Sequence, residues 1–318
     1  MEHDNLGKCL KTGMVFFLLY VLNVGASTPV KETFTFAMKN GIDLRMDKYS
    51  MPDHPVGKQP CFIFMFGGGF RGGTRDSQTY LDCFNDLARN GYTVISIDYR
   101  LGLKDVKPQG IVNVISALKR AIDWAVEDLY DATTYIVKHA GEWDINPEQI
   151  VISGSSAGAI TVLQAEYERC NNGPLAANLP PDFRYAGVIG FAGAILTLSD
   201  VLQWEKMPAP TILFHGDADD IVPFAKLQVE NIMFCGSQEI KDQLNKRGAS
   251  YALLQFIGDK HTVSSDPLQY NLPEVRRLLE ILVRKAMPVT IHALLGKPGA
   301  KSPDQPLTTE DFIKTNFK

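Results

Sequence analysis

The chain has 318 residues, of which 45% are hydrophobic and 21% are charged, and its formal net charge is −4. This composition is typical of a globular protein with a sizeable apolar core, and it argues against a disordered or collagen-like chain. The small acidic excess excludes the broad basic surface of a nucleic-acid-binding protein.

The first 26 residues have the pattern of a cleavable export signal. Lys8 and Lys11 precede an uncharged run from Met14 to Val24, and small residues follow up to Ala26. This run is shorter than the roughly 20 residues that a membrane-spanning helix needs. We therefore expect cleavage after Ala26 and a secreted or periplasmic protein without a stable membrane span. The alternatives are a buried strand and an uncleaved anchor.

Four cysteines lie beyond this leader: Cys61, Cys83, Cys170 and Cys235. They allow two disulfides in an oxidising compartment, or they are unpaired and behave as small buried apolar side chains. The sequence does not decide between these alternatives. Their spacing is not that of zinc ligands, so we expect no zinc site.

An antiparallel hairpin is predicted at the start of the mature chain. Apolar and polar residues alternate from Phe34 to Met38 and again from Ile42 to Tyr49, and Asn40 and Gly41 between them are typical of a tight turn.

From residue 61 onward, apolar runs alternate with helical patterns. Continuous apolar runs are typical of strands covered on both faces, so the pattern predicts an α/β fold whose mostly parallel central sheet is flanked by helices. The predicted strands are Cys61–Phe66, Tyr92–Ile97, Ile150–Ser153, Ala186–Phe191, Thr211–Phe214 and Tyr251–Ile257. The predicted helices are Thr79–Arg89, Ile111–Ala140 with a break near residue 128, Ala157–Arg169, Phe224–Phe234 and Leu272–Lys285.

We expect one domain over residues 27–286, because no linker or internal repeat divides this part of the sequence. Residues 287–318 contain four prolines and little periodicity, so they are predicted to form an extended C-terminal extension.

Residues 154–158, of sequence GSSAG, match the pattern G-x-S-x-G between a predicted strand and a predicted helix. A nucleophilic serine on a tight strand-to-helix turn needs flanking glycines, because neighbouring segments crowd against it. Ser156 would present its hydroxyl, and the N–H of Ala157 would face a developing oxyanion. The alternative is a turn that serves only to begin a helix.

A loop of three glycines, Gly67, Gly68 and Gly69, follows the first of these strands. Gly68 and Gly69 are predicted to donate backbone N–H groups to the same oxyanion. Together with Gly72 the loop also satisfies G-x-G-x-x-G, the dinucleotide-binding fingerprint. That motif needs a helix N-terminus at its third glycine, whereas this loop continues through residue 76. Dinucleotide binding is the alternative function.

An acid and a base follow two later strands. Asp217, Asp219 and Asp220 come after residue 214, and composition alone does not choose among them. His261 follows the strand that ends near residue 257. Serine, acid and histidine, each after a strand, stand in the chain order of the α/β-hydrolase triad. The alternatives are an aspartate cluster that caps a turn and a solvated surface histidine.

With these motifs, residues 60–285 resemble the α/β-hydrolase esterases, in particular the small exported carbohydrate-esterase and hormone-sensitive-lipase-like branches. There the acid is the last residue of His-Gly-x-x-Asp followed by Val-Pro, which maps onto Asp219. Residues 143–150 also look like the approach to the nucleophile in these families. The resemblance implies that Ser156 attacks an acyl carbonyl, that His261 transfers the proton and that Asp219 orients His261. This mechanism implies neither a metal nor an organic cofactor.

Three positions depart from the pattern of these families. Phe66 stands where a histidine usually precedes the glycines, Ser155 stands where hormone-sensitive-lipase-like members usually carry Asp, and Lys260 replaces a frequent Gly. The second departure favours the polysaccharide-esterase branch. The third places a cation beside the predicted base.

The resemblance and the export signal together imply removal of acetyl or feruloyl groups from polysaccharide or small alcohols. Only about 15 residues, 196–210, separate two strands, which leaves little room for a large lid. Phe70, Ser155, Trp204 and Met207 are candidate substrate-lining residues. The alternative for Trp204 and Met207 is ordinary packing. A prolyl-oligopeptidase-like peptidase shares the motifs but normally has an additional large domain.

Overall fold

A nine-stranded sheet forms the centre of the computed structural model, which describes residues 27–53, 57–107 and 110–316. The predicted export signal, residues 1–26, lies outside this part of the chain. The strands are β1 (Val30–Lys39), β2 (Ile42–Ser50), β3 (Gln59–Met65), β4 (Thr93–Ile97), β5 (Ile145–Ser155), β6 (Gly187–Phe191), β7 (Ala194–Thr197), β8 (Thr211–Gly216), β9 (Lys226–Val229), β10 (Ile232–Gly236), β11 (Tyr251–Phe256) and β12 (Thr290–Leu295). The helices are α1 (Gln78–Arg89), α2 (Ile111–His139), α3 (Ala157–Cys170), α4 (Ser237–Arg247), α5 (Pro267–Tyr270), α6 (Leu272–Leu279) and α7 (Thr309–Asn316).

The large sheet has the order β1-β2-β4-β3-β5-β6-β8-β11-β12. All neighbours from β4 to β12 are parallel, whereas β2 pairs antiparallel with both β1 and β4. Every residue of β3, β4, β6 and β8 is buried, as expected for strands that helices cover on both faces. The predicted α/β fold with an antiparallel N-terminal hairpin is confirmed.

Helix α2 runs without interruption over 29 residues, so the break expected near residue 128 is wrong. Asp128 is fully buried inside this helix, and its carboxylate accepts hydrogen bonds from the backbone N–H of Arg100 at 2.7 Å and from Arg100 Nε at 2.9 Å. Because Arg100 pairs with the buried Asp128 carboxylate, the helix continues through this position.

The helix predicted over residues 224–234 is also wrong, because this segment forms the hairpin of β9 and β10. Glu230 adopts a left-handed φ of 52° at the turn. Leu227 and Val229 are buried while Lys226 and Gln228 are exposed, which is the two-residue period of a strand. With β7 the hairpin forms a small antiparallel sheet of order β7-β10-β9.

The C-terminal segment takes part in the fold, whereas the sequence predicted an extension outside the domain. Strand β12 pairs in parallel with β11 from Tyr251 and Thr290 to Phe256 and Leu295, and it forms an edge of the large sheet. Further along the chain, α7 buries Phe312. Both elements are short, with six and eight residues, and the four prolines of this segment indicated an extended chain instead.

Cys61, Cys83, Cys170 and Cys235 are all buried and none is in a disulfide. This favours the second alternative of the sequence, small apolar side chains in the core. Burial raises the pKa of the Cys61 and Cys83 thiols well above their ordinary range. No helix in the described part of the chain is both long and apolar enough to span a bilayer.

Candidate active site

Four loops meet at the carboxyl ends of the parallel strands β3, β5, β8 and β11. They carry, respectively, the glycines 67–69, Ser156, Asp219 and His261. In an open α/β sheet this edge is where ligands bind, because the loops that leave successive strands face one crevice.

Ser156 occupies the tight turn between β5 and α3, with φ 51° and ψ −114°. Its N–H donates to the carbonyl of Phe191 at 2.9 Å. A Cβ atom on Gly154 would lie 2.3 Å from the carbonyl carbon of Gly158, and one on Gly158 would lie 2.2 Å from the carbonyl oxygen of Met65. Only glycine fits at either position, so the two glycines let the chain turn sharply enough to present the serine hydroxyl.

A chain of hydrogen bonds joins the three predicted side chains. Ser156 Oγ lies 2.8 Å from His261 Nε2, and His261 Nδ1 lies 2.7 Å from Asp219 Oδ2. The other carboxylate oxygen, Oδ1, accepts the backbone N–H groups of Ile221 and Val222, both at 2.9 Å. Asp219 is buried, whereas the His261 side chain remains 21% exposed. This geometry allows Nδ1–H to donate to Asp219 and Nε2 to accept the serine proton.

A second histidine contacts the same carboxylate. His215 is fully buried, and its Nε2 lies 3.2 Å from Asp219 Oδ2 and 3.1 Å from the carbonyl oxygen of Val222, while its Nδ1 lies 2.8 Å from Ser237 Oγ. Burial by itself would raise the pKa of Asp219, but the hydrogen bonds from His215 and His261 outweigh it and hold this pKa well below the ordinary range. Asp219 is therefore ionised at any pH at which a protonated His261 needs a negatively charged partner.

The other two aspartates of the cluster have different partners. Asp217 accepts hydrogen bonds from Gln255 Nε2 at 2.9 Å and from the Ser302 hydroxyl at 2.6 Å. Asp220 pairs with Lys260 at 2.8 Å. The lysine that departs from the family pattern is thus neutralised by Asp220, whose carboxylate holds the pKa of Lys260 above its ordinary value.

The glycine loop lies directly against the serine turn. A Cβ on Gly67 would lie 3.2 Å from Ser156 Cβ. Gly68 and Gly69 have φ values of 129° and 61°. Within the described chain, the N–H groups of Gly68, Gly69 and Ala157 have no intramolecular acceptor, and Gly69 and Ala157 line the same cavity as Ser156. Free backbone donors beside a serine hydroxyl suit an oxyanion.

Aromatic packing holds this loop where the related esterases usually carry a histidine. The ring of Phe66 stacks on Tyr99 with centroids 4.5 Å apart, and the Tyr99 hydroxyl donates to the Phe66 carbonyl at 2.9 Å. The N–H of Gly67 donates to Tyr80 at 3.4 Å. Two tyrosine hydroxyls therefore supply polar contacts to the loop.

A cavity of about 180 Å³ opens beside Ser156. Most of its wall is apolar, and Phe70, one of the predicted lining residues, is part of it. The other apolar lining residues are Leu103, Leu118, Ile160, Ile221, Val222, Pro223, Phe234 and Phe312. Ser155, another predicted lining residue, is buried and does not line this cavity, which corrects that prediction, and its hydroxyl lies close to Gly67.

Trp204 and Met207 do not line this cavity, which corrects the prediction for these two residues. Their segment lies along the far end of α3: Trp204 packs on Tyr167 with centroids 6.0 Å apart, and the N–H of Lys206 donates to the carbonyl of Cys170 at 3.1 Å. Helix α3 begins at the serine turn, and its 14 residues span about 21 Å. The segment is therefore far from the serine hydroxyl.

The dinucleotide fingerprint does not have its required context. Helix α1 begins at Gln78, whereas the third glycine of the motif is Gly72. The first glycine of the motif packs against the Ser156 turn. No helix N-terminus is therefore available at Gly72 to bind a pyrophosphate.

Two parts of the site were missed by the sequence analysis. The contact of His215 with Asp219 was not expected, although both belong to the motif that identified Asp219. Phe312 and Asn316 of α7 reach the cavity from the C-terminal segment. The available signal was Thr308 followed three residues later by Asp311, a pattern typical of a helix N-terminus. Among the described residues, no group of histidine, cysteine, aspartate or glutamate is placed to hold a metal ion.

The sequence model of the BD-FAE family matches residues 46–206, which is half of the chain and includes the glycine loop and Ser156. The chain belongs to the BD-FAE family. The resemblance to α/β-hydrolase esterases inferred from the motifs is confirmed.

Curated relatives of this BD-FAE protein include bacterial acetyl esterases. The acetyl esterase of Salmonella typhi is 31% identical over 171 residues, which cover 51% of this chain and 47% of the relative. That of Salmonella paratyphi B is 31% identical over 121 residues, covering 36% of this chain and 32% of the relative. The chain thus spans less than half the length of these relatives.

Solved structures similar to the BD-FAE chain include esterase 2 of the planctomycete Thermogutta terrifontis. Its native form has a TM-score of 0.59 and 22% identity, and the match covers 79% of this chain and 92% of the esterase. Its propionate-bound form has a TM-score of 0.58 and 21% identity, covering 78% and 93%. At this level of identity the likeness establishes the fold, which is that of the α/β-hydrolases.

Proposed function

We propose that this protein is a serine carboxylic-ester hydrolase that removes short acyl groups from small alcohols or from polysaccharide, with Ser156, His261 and Asp219 as its catalytic triad. The observation that carries the proposal is the continuous hydrogen-bonded chain from Ser156 Oγ through His261 to Asp219, with distances of 2.8 and 2.7 Å. The family and the acetyl esterase relatives support the same reaction class.

The first half-reaction acylates the serine. Ser156 Oγ attacks the acyl carbonyl carbon while its proton passes to His261 Nε2, and the carbonyl oxygen becomes an oxyanion. The N–H groups of Gly69 and Ala157 beside the serine, together with that of Gly68, stabilise this charge. The bond to the alcohol oxygen then breaks, and His261 Nε2–H returns the proton to that oxygen.

In the second half-reaction a water molecule takes the place of the alcohol. It gives a proton to His261 Nε2 and attacks the acyl-serine carbonyl, and collapse of the new oxyanion releases the carboxylic acid and restores the serine hydroxyl. Asp219 stays ionised throughout and stabilises the imidazolium, consistent with the low pKa that its two histidine partners impose.

Acetyl is the favoured acyl group, and feruloyl is the larger candidate. The relatives named as acetyl esterases support acetyl. The apolar cavity of about 180 Å³ is somewhat larger than a cavity of roughly 150 Å³ that accepts benzene in another protein. An acetyl group fits with room to spare, and a single aromatic ring is close to the upper limit.

The experiment measures acetate and ferulate release from acylated xylan and from small aryl esters. We expect Ser156→Ala to lower kcat/KM by about four to six orders of magnitude with unchanged folding, because the nucleophile is lost. Ser116→Ala, which removes an exposed hydroxyl on α2, serves as the matched control and should retain the wild-type rate. Equal rates for wild type and Ser156→Ala would refute the esterase proposal.

Covalent labelling provides an independent test. Paraoxon, which phosphorylates the structurally similar Thermogutta terrifontis esterase 2, should add a diethylphosphoryl group to the peptide that contains Ser156. Mass spectrometry should find no such adduct on the Ser156→Ala variant.

We also propose that residues 1–26 direct export and are removed after Ala26, on the basis of the lysines, apolar run and small residues of this segment. N-terminal sequencing of protein recovered from outside the cytoplasm should begin at Ser27. Recovery of the full-length chain in the cytoplasm alone would contradict this.

A further inference from the structure

Helix α7 supplies part of the cavity beside Ser156. The ring of Phe312 is 3% exposed and packs edge-on against Phe234 of β10, with centroids 5.1 Å apart. Both rings line the cavity, and so does Asn316, one turn further along α7. A helix far from the triad in sequence thus forms a wall of the site.

Both ends of the C-terminal segment are fixed to the body of the protein. The Ser302 hydroxyl donates to Asp217 at 2.6 Å, and the Thr309 hydroxyl donates to the carbonyl of Gln228 in β9 at 2.8 Å. At the other end of α7, Asn316 Nδ2 donates to the carbonyl of Asp220 at 3.3 Å. Asp220 directly follows Asp219 in the chain, so α7 is held next to the acid loop.

The start of α7 is also well defined. Thr308 Oγ1 accepts the N–H of Asp311 at 3.2 Å and donates to the carboxylate of Asp311 at 2.7 Å, as a helix-capping pair does. These contacts fix the rotation of α7, which directs Phe312 inward.

The cavity that Phe312 lines lies on the acyl side of the serine. Its lining includes Gly69 and Ala157, the oxyanion donors, but not His261. Since His261 must deliver a proton to the leaving alcohol oxygen, the alcohol lies toward His261, and the acyl substituent points the other way.

We propose that Phe312 determines the largest acyl group that the enzyme accepts, as part of the wall of the cavity that Gly69 and Ala157 also line. This inference rests on the proposed esterase function and adds a specificity-determining residue to it. The family model ends at residue 206, so this wall belongs to a part of the chain that the model does not cover.

The test measures kcat/KM for a series of p-nitrophenyl esters from acetate to octanoate, followed by phenylpropionate. We expect Phe312→Ala to raise the ratio of hexanoate to acetate about tenfold or more, because a methylene placed in an apolar pocket changes kcat/KM by roughly tenfold or more. Phe312→Leu, a milder change, should shift the ratio in the same direction, and Phe312→Trp should shift it toward acetate.

Ile313→Ala is the matched control. Ile313 is the next residue of α7 and packs against the core, but it does not line the cavity. A selectivity change in Phe312→Ala and Phe312→Leu but not in Ile313→Ala supports the inference. An equal change of the hexanoate-to-acetate ratio in Ile313→Ala would mean that any loosening of α7 alters selectivity, and it would overturn the inference.

A second series keeps the acetyl group and varies the alcohol. The Phe312 variants should leave this profile unchanged, and a shift confined to the alcohol series would overturn the acyl assignment. If the wild type hydrolyses none of the esters, the proposed function itself fails. If the wild type is active but the folded Phe312 variants retain its acyl profile, only the present inference fails.

Discussion

Four groups hold the Asp219 carboxylate: two backbone N–H groups on one oxygen and two histidines on the other. Only one of these histidines, His261, reaches the serine. His215 is fully buried and is fixed through Ser237, so its contact restricts rotation of the carboxylate. We interpret His215 as a positioning residue for the proposed triad.

Replacing His215 should therefore lower the rate of the chemical step. For His215→Ala we expect kcat to fall about 10- to 100-fold with little change in KM, since a small misplacement of a catalytic group has an effect of this size. The measurement is kcat and KM for p-nitrophenyl acetate over pH 5–9. Ser237→Ala, which leaves the ring in place, should have a smaller effect. A change in KM alone would contradict the positioning role.

The depressed pKa of Asp219 has a consequence for stability. The pKa of Asp219 is about 3.9 in the unfolded chain and lower in the folded protein, so at a pH between these two values the unfolded chain binds more protons. The stabilising contribution is thus fully present above about pH 5 and is lost as the pH falls through the folded value. We expect the wild type to exceed Asp219→Asn in free energy of unfolding by about 2 kcal/mol at pH 6, with the difference shrinking below pH 4. Urea titrations at pH 3–7 measure this, and a constant difference would contradict it.

The meeting of Ser156, Asp219 and His261 in space was predictable from the sequence for a physical reason. Each follows a strand of one parallel sheet, so chain order and strand ends determine where Ser156, Asp219 and His261 meet. The choice among three aspartates required the family motif, because all three lie within four residues and only the folded structure shows that Asp219 contacts His261. His215 and Asp219 are four residues apart in the same motif, but the sequence alone does not show that their side chains meet.

At the scale of elements, the serine turn depends on two close approaches that leave no room for a side chain. Gly154→Ala should lower the free energy of unfolding by about 1–3 kcal/mol, because a Cβ there would meet backbone at 2.3 Å. Gly72→Ala is the matched control, since a Cβ at Gly72 meets no atom within 4 Å. Chemical denaturation of both variants measures the effect, and equal stabilities would refute the packing argument.

Two elements that the sequence mispredicted, the hairpin of β9 and β10 and the strand β12, owe their conformation to pairing with other strands. Residues 224–234 are apolar at a spacing that suits a helix, yet Glu230 turns the chain and β10 pairs with both β7 and β9. Strand β12 lies at the edge of the sheet and has no buried residue, although Ile291, Ala293 and Leu295 occupy alternate positions as in a strand. Its partner β11 decides its conformation.

At the scale of the whole molecule, the C-terminal segment contributes β12, the edge strand of the large sheet. A chain that ends at residue 286 should leave the edge of β11 unpaired and aggregate, since open edges with buried residues pair with other chains. A chain that ends at residue 300 keeps β12 and lacks α7, and it should remain soluble with an opened cavity. Size-exclusion chromatography of both distinguishes these outcomes. Equal solubility and equal thermal stability of the shorter chain would show that β12 is dispensable.

The position of Phe312 in the chain also sets an order of events during synthesis. About 50 residues separate it from His261, and at ~5–20 residues per second a ribosome adds them in roughly 3–10 s. Ser156, Asp219 and His261 are therefore synthesised before Phe312. In a nascent chain that folds as it emerges, the proposed triad would assemble before the proposed size limit on the acyl group is in place, and selectivity among esters would be lowest in that interval.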